Sequence, residues 1–267
     1  MELKEVVYNH LLSHRDGPRF YMGASMVGHS CDRYVWMNYR GFKGDSENPF
    51  QQGEDHPGRV FGIFQMGHDI EAVIVDALKD RGILEDTQTL IKEDVVRGHA
   101  DGVLRIDGER VLLEIKSANK RRFDLFKKNG VEKTNIQYFV QMHIYMHFLL
   151  IQKAVFLVVS KDSFHIHEEE VPYNRKIAVD AVERARRLST SKEPDAGFDK
   201  DAPECVFCDY RKYCHAGIKV DVGKKACLNC AHLTGGNHCG VHMVDIPHPE
   251  RDCPQWEEYH LEHKNLF

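Results

Sequence analysis

Asp107-Gly108 stands between two apolar runs, Val103-Leu104-Arg105-Ile106 and Val111-Leu112-Leu113-Glu114-Ile115. Asp-Gly in that setting is the strongest short-range signal for a two-residue hairpin turn, because both central residues must take positive φ. The turn fixes a register in which 106 faces 109 and 101 faces 114. Opposed side chains have Cβ atoms about 4.5–5.5 Å apart, so Asp101 and Glu114 repel across the ladder. A divalent cation between them would turn that repulsion into a binding site. Side chains alternate along a strand, which puts Lys116 on the face of Glu114. Residues 111–115 are apolar apart from Glu114, the pattern of a strand covered on both faces. A carboxylate inside such a strand needs a partner. Two readings stay open on these residues alone: the solvated face of a hairpin, and two carboxylates and a lysine outlining a hydrolytic metal site.

The chain of 267 residues has room for one large domain, or a medium domain with a small appendage. No run of 18 apolar residues occurs, so no membrane span and no membrane partner are expected. The start, Met-Glu-Leu-Lys-Glu-Val, has no basic region followed by an apolar stretch. An intracellular, cytoplasmic protein is expected. The net charge of −5 offers no global field for nucleic acid, so any such site must be a local patch. One candidate runs from Lys116 to Lys133, with seven basic residues against Asp124 and Glu132. It reads either as a solvated loop and helix face or as a phosphate-binding stretch beside Lys116.

Periodicity and punctuation give the outline. Helices are expected over 2–14, 24–40 and 59–81, the last closed by Gly82. Residues 43–58 are polar and rich in Gly, Pro and acid, which marks a loop. Strands follow near 88–96, 98–106 and 109–117. Thr134 is placed to cap a helix through Ile151. Lys153–Ser160 and Phe164–Val171 read as a second hairpin, and Asn174 as the cap of a helix to Leu188. That order predicts an α/β fold, a central mixed sheet flanked by helices, with a small Cys-rich C-terminal module. No internal repeat is present.

Further candidates lie on two helices. Gly67-His68-Asp69-Ile70-Glu71 puts His68 and Glu71 on one face, and Gln141 and Tyr145 share another. Each pair alone is weak. In order with Gly98-His99-Ala100-Asp101 and Glu114-Ile115-Lys116, the set resembles the RecB-like branch of the PD-(D/E)xK nuclease superfamily. The resemblance covers roughly residues 20–217. It implies a restriction-endonuclease-like core in which His68, Asp101, Glu114 and the Ile115 carbonyl hold Mg²⁺ or Mn²⁺. It implies that Lys116 orients or activates the attacking water. Gln141 and Tyr145 would contact DNA near the scissile phosphate and support the site, and Glu71 would act from behind it. The chemistry agrees: phosphodiester hydrolysis needs a Lewis acid, an activated water and a stabilised leaving group. Oxygen donors suit Mg²⁺, and one imidazole shifts the preference toward Mn²⁺. Lys120, Arg121 and Arg122 are the candidate phosphate contacts.

Seven of the eight cysteines lie after residue 204. An intracellular chain does not hold them as disulfides, and the asymmetry points to metal. Cys205, Cys208 and Cys214 have the spacing C-x₂-C-x₅-C and need a fourth ligand, for which Cys31 is the cysteine outside the cluster. The arrangement is similar to CRISPR-associated RecB-like exonucleases and AddB-type nucleases, which implies a [4Fe–4S] cluster on these four. Sulfur ligation also permits zinc. Joining residue 31 to residue 205 closes a loop of about 174 residues, worth on the order of 5 kcal/mol by the cross-link entropy estimate.

Cys227, Cys230, Cys239 and Cys253 form a second set, C-x₂-C-x₈-C-x₁₃-C. Their segment is too poor in apolar residues to fold without a staple, and four thiolates with a close pair fit Zn²⁺. His232, His238 and His242 compete, and His242 with the first three cysteines would make a Cys₃His site. The expected division is a nuclease core with its iron–sulfur cysteines over 1–220 and a zinc-binding tail over 221–267, the tail lying outside the resemblance.

The resemblance implies a metal-dependent DNA exonuclease acting on single- or double-stranded ends. A 5′→3′ direction is expected from similar enzymes, with a role in recombination, repair or phage DNA processing. The setting would be a bacterial cell or a phage-infected host, with a recombination or annealing protein as partner. The alternatives are a catalytically silent nucleic-acid-binding protein on the same fold and a structure- or site-specific endonuclease.

Overall fold

A computed structural model describes residues 2–13, 21–44, 58–93, 95–206, 208–220, 222, 225–234, 238–245, 253–259 and 261. Most of the loop expected over 43–58 lies outside them. The elements in chain order are α1 (Leu3–Ser13), β1 (Met22–Gly23), α2 (Ala24–Val27), α3 (Asp32–Tyr39), α4 (Gly58–Asp80), β2 (Leu84–Glu93), β3 (Val96–Ile106) and β4 (Glu109–Ala118). Then come α5 (Lys120–Thr134), α6 (Ile136–Leu149), β5 (Lys153–Ser160), β6 (Ile166–Pro172), α7 (Arg175–Thr190), α8 (Pro203–Val206) and α9 (Arg211–Ala216). A 3₁₀ turn (Cys227–Asn229) and the short strands β7 (Leu233–Thr234), β8 (His238–Cys239) and β9 (Val244–Asp245) close the order. The fold is mixed α/β, with a six-stranded sheet ordered β1-β3-β4-β5-β6 and β2 added beside β3. Among the described residues no helix is long and apolar enough to cross a membrane.

Contacts divide the chain into two compact units: residues 1–22, 29–61 and 185–267, and residues 23–28 and 62–184. The expected boundary at 220/221 falls inside the first.

In the second unit, the hairpin forms as its turn residues dictate. Asp107 has φ +51° and Gly108 φ +84°, and Ile106 stands opposite Glu109. The ladder runs to Gly102 opposite Leu113. β4 pairs with β5 in parallel and β5 with β6 in antiparallel sense, so the sheet is mixed. β4 is covered on both faces. Val111, Leu113 and Ile115 pack with Ile70 and Ile74 of α4, while Glu114 turns toward Gln141 of α6. Gly82, at φ +69°, ends α4 by donating its N–H to the Lys79 carbonyl.

Three local expectations shift. The helix expected over 24–40 is two helices, α2 and α3. Gly28 ends α2 where a Cβ would fall 2.7 Å from the Gln137 Cα, so this glycine marks a close approach. The basic stretch forms α5, which contains a break at Gly130 with φ +77°. The cap of α6 is Asn135 rather than Thr134: its Oδ1 accepts from the N–H groups of Gln137 and Tyr138 at 3.1 and 3.3 Å. Thr134 instead spends its hydroxyl on the Leu125 carbonyl.

In the first unit, Trp36, Met37, Phe42, Tyr210, Tyr213 and Val220 form a core, joined by Tyr34, Cys208, Cys214, Val222, Tyr259 and Leu261. The Cys-rich tail is tied into it. Arg40 is buried, donates to the Leu228 carbonyl at 2.9 Å, and lies over the rings of Trp36 and Tyr259.

Candidate active site

Asp101 sits on β3, where Gly98 allows a close neighbour: a Cβ there would run into the hydroxyl of Tyr145. One step beyond the last ladder pair, Asp101 Oδ2 accepts the N–H of Ile115 at 2.7 Å. A carboxylate thus takes a main-chain donor of β4, which locks the Asp101 side chain to the strand that carries Glu114 and Lys116.

Glu114 is fully buried and Asp101 nearly so. The Lys116 ammonium bridges them, contacting Glu114 Oε1, Asp101 Oδ2 at 3.4 Å and the Ile115 carbonyl at 3.0 Å. Gln141 donates from Nε2 to Glu114 Oε1 at 2.9 Å and lies 3.4 Å from the Tyr145 hydroxyl. Glu114 Oε2 and Gln141 Oε1 are buried and, among the described residues, have no hydrogen-bond partner. Burial pushes the Glu114 carboxyl up to about 8, against the pull of the Lys116 ammonium. Burial alone would lower the Lys116 pKa, but the charges of Glu114 and Asp101 outweigh it and hold the ammonium charged.

The α4 residues lie to one side of this cluster. His68 is largely exposed, with Nδ1 3.9 Å from Glu71 Oε2. The Glu71 carboxyl is raised first by burial and then by the charge of Asp101, and eased by Lys116 and His68. Gln141 and Tyr145 are buried at 5% and 3% exposure, so their position is beneath Glu114 rather than at the surface. Of the basic candidates, Lys120 pairs with Asp124 at 2.8 Å, and Arg122 donates to the Thr134 carbonyl at 3.2 Å. Arg121 stands between them in the first turn of α5. Two residues were not singled out from sequence. Tyr138 lies under the Lys116 ammonium, 5.4 Å from ring centroid to nitrogen. Gln88 donates to Glu71. Neither carries a motif; only its placement reveals it.

Among the described residues no three His, Cys, Asp or Glu side chains stand ready-converged on a metal. At the carboxylates the ammonium touches Asp101 Oδ2, Glu114 Oε1 and the Ile115 carbonyl, the oxygens expected to hold the cation. A partly buried cation already stands on that donor set, and among the described residues one oxygen of Glu114 has no hydrogen-bond partner. The residues fit a hard, oxygen-seeking divalent ion.

In the first unit, Cys31, Cys205, Cys208 and Cys214 line one pocket with Arg33, Gly197 and Phe198. Arg33 Nη1 lies 3.7 Å from Cys214 Sγ, and the Tyr210 N–H 3.4 Å from Cys208 Sγ. Burial raises the thiols of Cys205, Cys208 and Cys214, the second up to about 12. The four thiols around one pocket are a donor set of the kind that binds metal as thiolates. In the tail, Cys227 and Cys230 share a turn, closed by the Cys230 N–H on the Cys227 carbonyl. His242 Nε2 lies 3.3 Å from Cys253 Sγ, and the His242 N–H 3.4 Å from Cys239 Sγ. Both competitors for the fourth ligand therefore stand at the same place.

No protein-family model and no curated protein matches the sequence. Several solved structures are similar in chain path. SSO0001 has a TM-score of 0.48 at 16% identity over 82% of this chain and 99% of its own. An alkaline exonuclease, LHK-Exo from Laribacter hongkongensis, has 0.43 at 13% over 67% and 90%. A phage-related exonuclease from Haemophilus somnus has 0.41 at 14% over 62% and 78%. Likeness of this degree carries no activity across.

Proposed function

We propose that the chain is a metal-dependent deoxyribonuclease that degrades DNA from its ends. The observation that carries this reading is the pair of buried carboxylates, Asp101 and Glu114, bridged by the partly buried Lys116 and clamped from below by Gln141 and Tyr145. A buried pair of carboxylates costs stability unless its charge is offset, and a bound divalent cation would offset it more fully than one ammonium. When bound, Mg²⁺ or Mn²⁺ would supply Lewis-acid activation of the phosphoryl oxygen. Asp101, Glu114 and the Ile115 carbonyl would hold it, with His68 from α4. The Lys116 ammonium would orient a water and offset charge on the phosphate as the bond breaks. Gln141 would hold Glu114 in place. Arg121 and its neighbours on α5 would take the backbone phosphates.

The four-thiol pocket would hold a structural [4Fe–4S] cluster, with zinc as its competitor, and the tail would hold Zn²⁺. We assign a cytoplasmic setting, a 5′→3′ direction, and work beside a recombination or annealing protein. A silent nucleic-acid binder is the second reading, favoured by the way the Lys116 ammonium already engages both carboxylates. The two part in one experiment. End-labelled single- and double-stranded DNA is incubated with Mg²⁺ or Mn²⁺ and wild-type protein or Glu114→Ala. Stepwise loss of label by wild type only, abolished by EDTA, is expected. Equal cleavage by Glu114→Ala would sink the proposal, and binding without cleavage by wild type would select the silent reading.

A further inference from the structure

β2 contains a backbone irregularity at the level of the site. Gln88 has φ +49°, a conformation uncommon for any residue but glycine and rarer for a long side chain without an Asx-type contact. Thr87 stands opposite Gly102 and Thr89 opposite Ala100, so Gln88 falls across from Asp101. Strain of this kind persists where the surroundings hold it in place, and it gathers at functional positions. Here the left-handed turn accompanies a specific contact: Gln88 Nε2 donates to Glu71 Oε1 at 2.6 Å. The other oxygen of Glu71 lies 3.9 Å from His68 Nδ1. Gln88 is thus hydrogen-bonded to Glu71, and Glu71 stands next to the imidazole on α4 without a hydrogen bond to it.

We propose that Gln88 is a positioning residue, which fixes the Glu71 carboxylate so that it orients His68 for metal binding. A histidine that ligates a metal almost always gives its other ring N–H to a carboxylate or carbonyl, which sets the tautomer and the ring angle. With Nδ1–H directed to Glu71, the lone pair on Nε2 is the one presented to a cation. The inference rests on the nuclease reading of the same site, and it adds the residue that holds the orienting carboxylate.

The test is Mn²⁺ titration of the full chain after chelator treatment and dialysis, read by calorimetry or by the free-ion resonance signal. Gln88→Gly removes the amide and relieves the left-handed backbone. Its melting temperature without metal should be unchanged or higher, while Mn²⁺ binds roughly tenfold more weakly, toward the low end of losses seen for such outer partners. Gln88→Asn tolerates the backbone but is too short to reach Glu71, and should behave alike. In a Glu71→Ala background, Gln88→Gly should cost nothing further, because the two act in series. Wild-type affinity in Gln88→Gly, or a loss that adds fully to that of Glu71→Ala, overturns the inference while leaving the nuclease reading intact. A wild-type chain that takes up no Mn²⁺ sinks both.

Discussion

Glu114 shows how far the surroundings of one residue can be read from sequence. The strand around it is apolar, so the carboxylate had to have a partner, and the turn at Asp107-Gly108 named Asp101 as its neighbour. What the pattern did not show is that Lys116 folds back over both. Burial favours the protonated form of Glu114, with a pKa of about 8 against an ordinary 4.5. A carboxyl raised in the folded state contributes stability that is complete below about pH 4.5 and is lost as pH rises through about 8. In EDTA, the melting temperature of wild type should fall over that window more steeply than that of Glu114→Gln, which has no proton to lose. Saturating Mn²⁺ should remove the difference. Parallel pH profiles for the two proteins in EDTA would show that Lys116 fully compensates the buried charge.

Elements were legible where one local signal decided them, and less so where a distant neighbour did. The hairpin and the caps at Gly82 and Asn174 follow from turn and cap chemistry, and Asn174 Oδ1 accepts the Lys176 N–H as a cap should. The break between α2 and α3 does not, because Gly28 is required by its approach to Gln137, far along the chain. The basic stretch was equally ambiguous, since loop and helix face share a composition. As α5 it puts Lys120, Arg121 and Arg122 in one turn, four to six residues past Lys116. Their phosphate role is measurable as salt dependence. Each contact to duplex phosphate contributes a log–log slope of about −0.9. Converting all three to Gln should flatten the slope for duplex binding in EDTA by roughly 2, since Lys120 is already engaged by Asp124. An unchanged slope would assign the three to solvent.

At the scale of the whole chain, the Cys-rich tail bears on how residues 1–220 hold together. The cysteine tail reads from composition as an appendage, because it lacks a core of its own. Its apolar residues are few but placed: Val222, Tyr259 and Leu261 pack against the cluster that holds Trp36, Tyr210 and Tyr213. Trp36 and Tyr259 meet edge to face at 5.6 Å. Arg40 has burial pressing its pKa down and relies on the Leu228 carbonyl as one of its acceptors. Removing residues 221–267 would therefore uncover aromatic surface and strand a buried guanidinium, rather than release an intact 1–220 core. Each large side chain uncovered costs roughly 1.5–3 kcal/mol. Cys208 and Cys214 pack on that cluster too, so the damage should reach the four-thiol pocket. The truncated chain, purified without oxygen, should melt well below the full chain, and any visible absorbance of an iron–sulfur cluster should weaken with it. A truncated chain with the melting temperature and absorbance of the full one would show that the tail is an independent module after all.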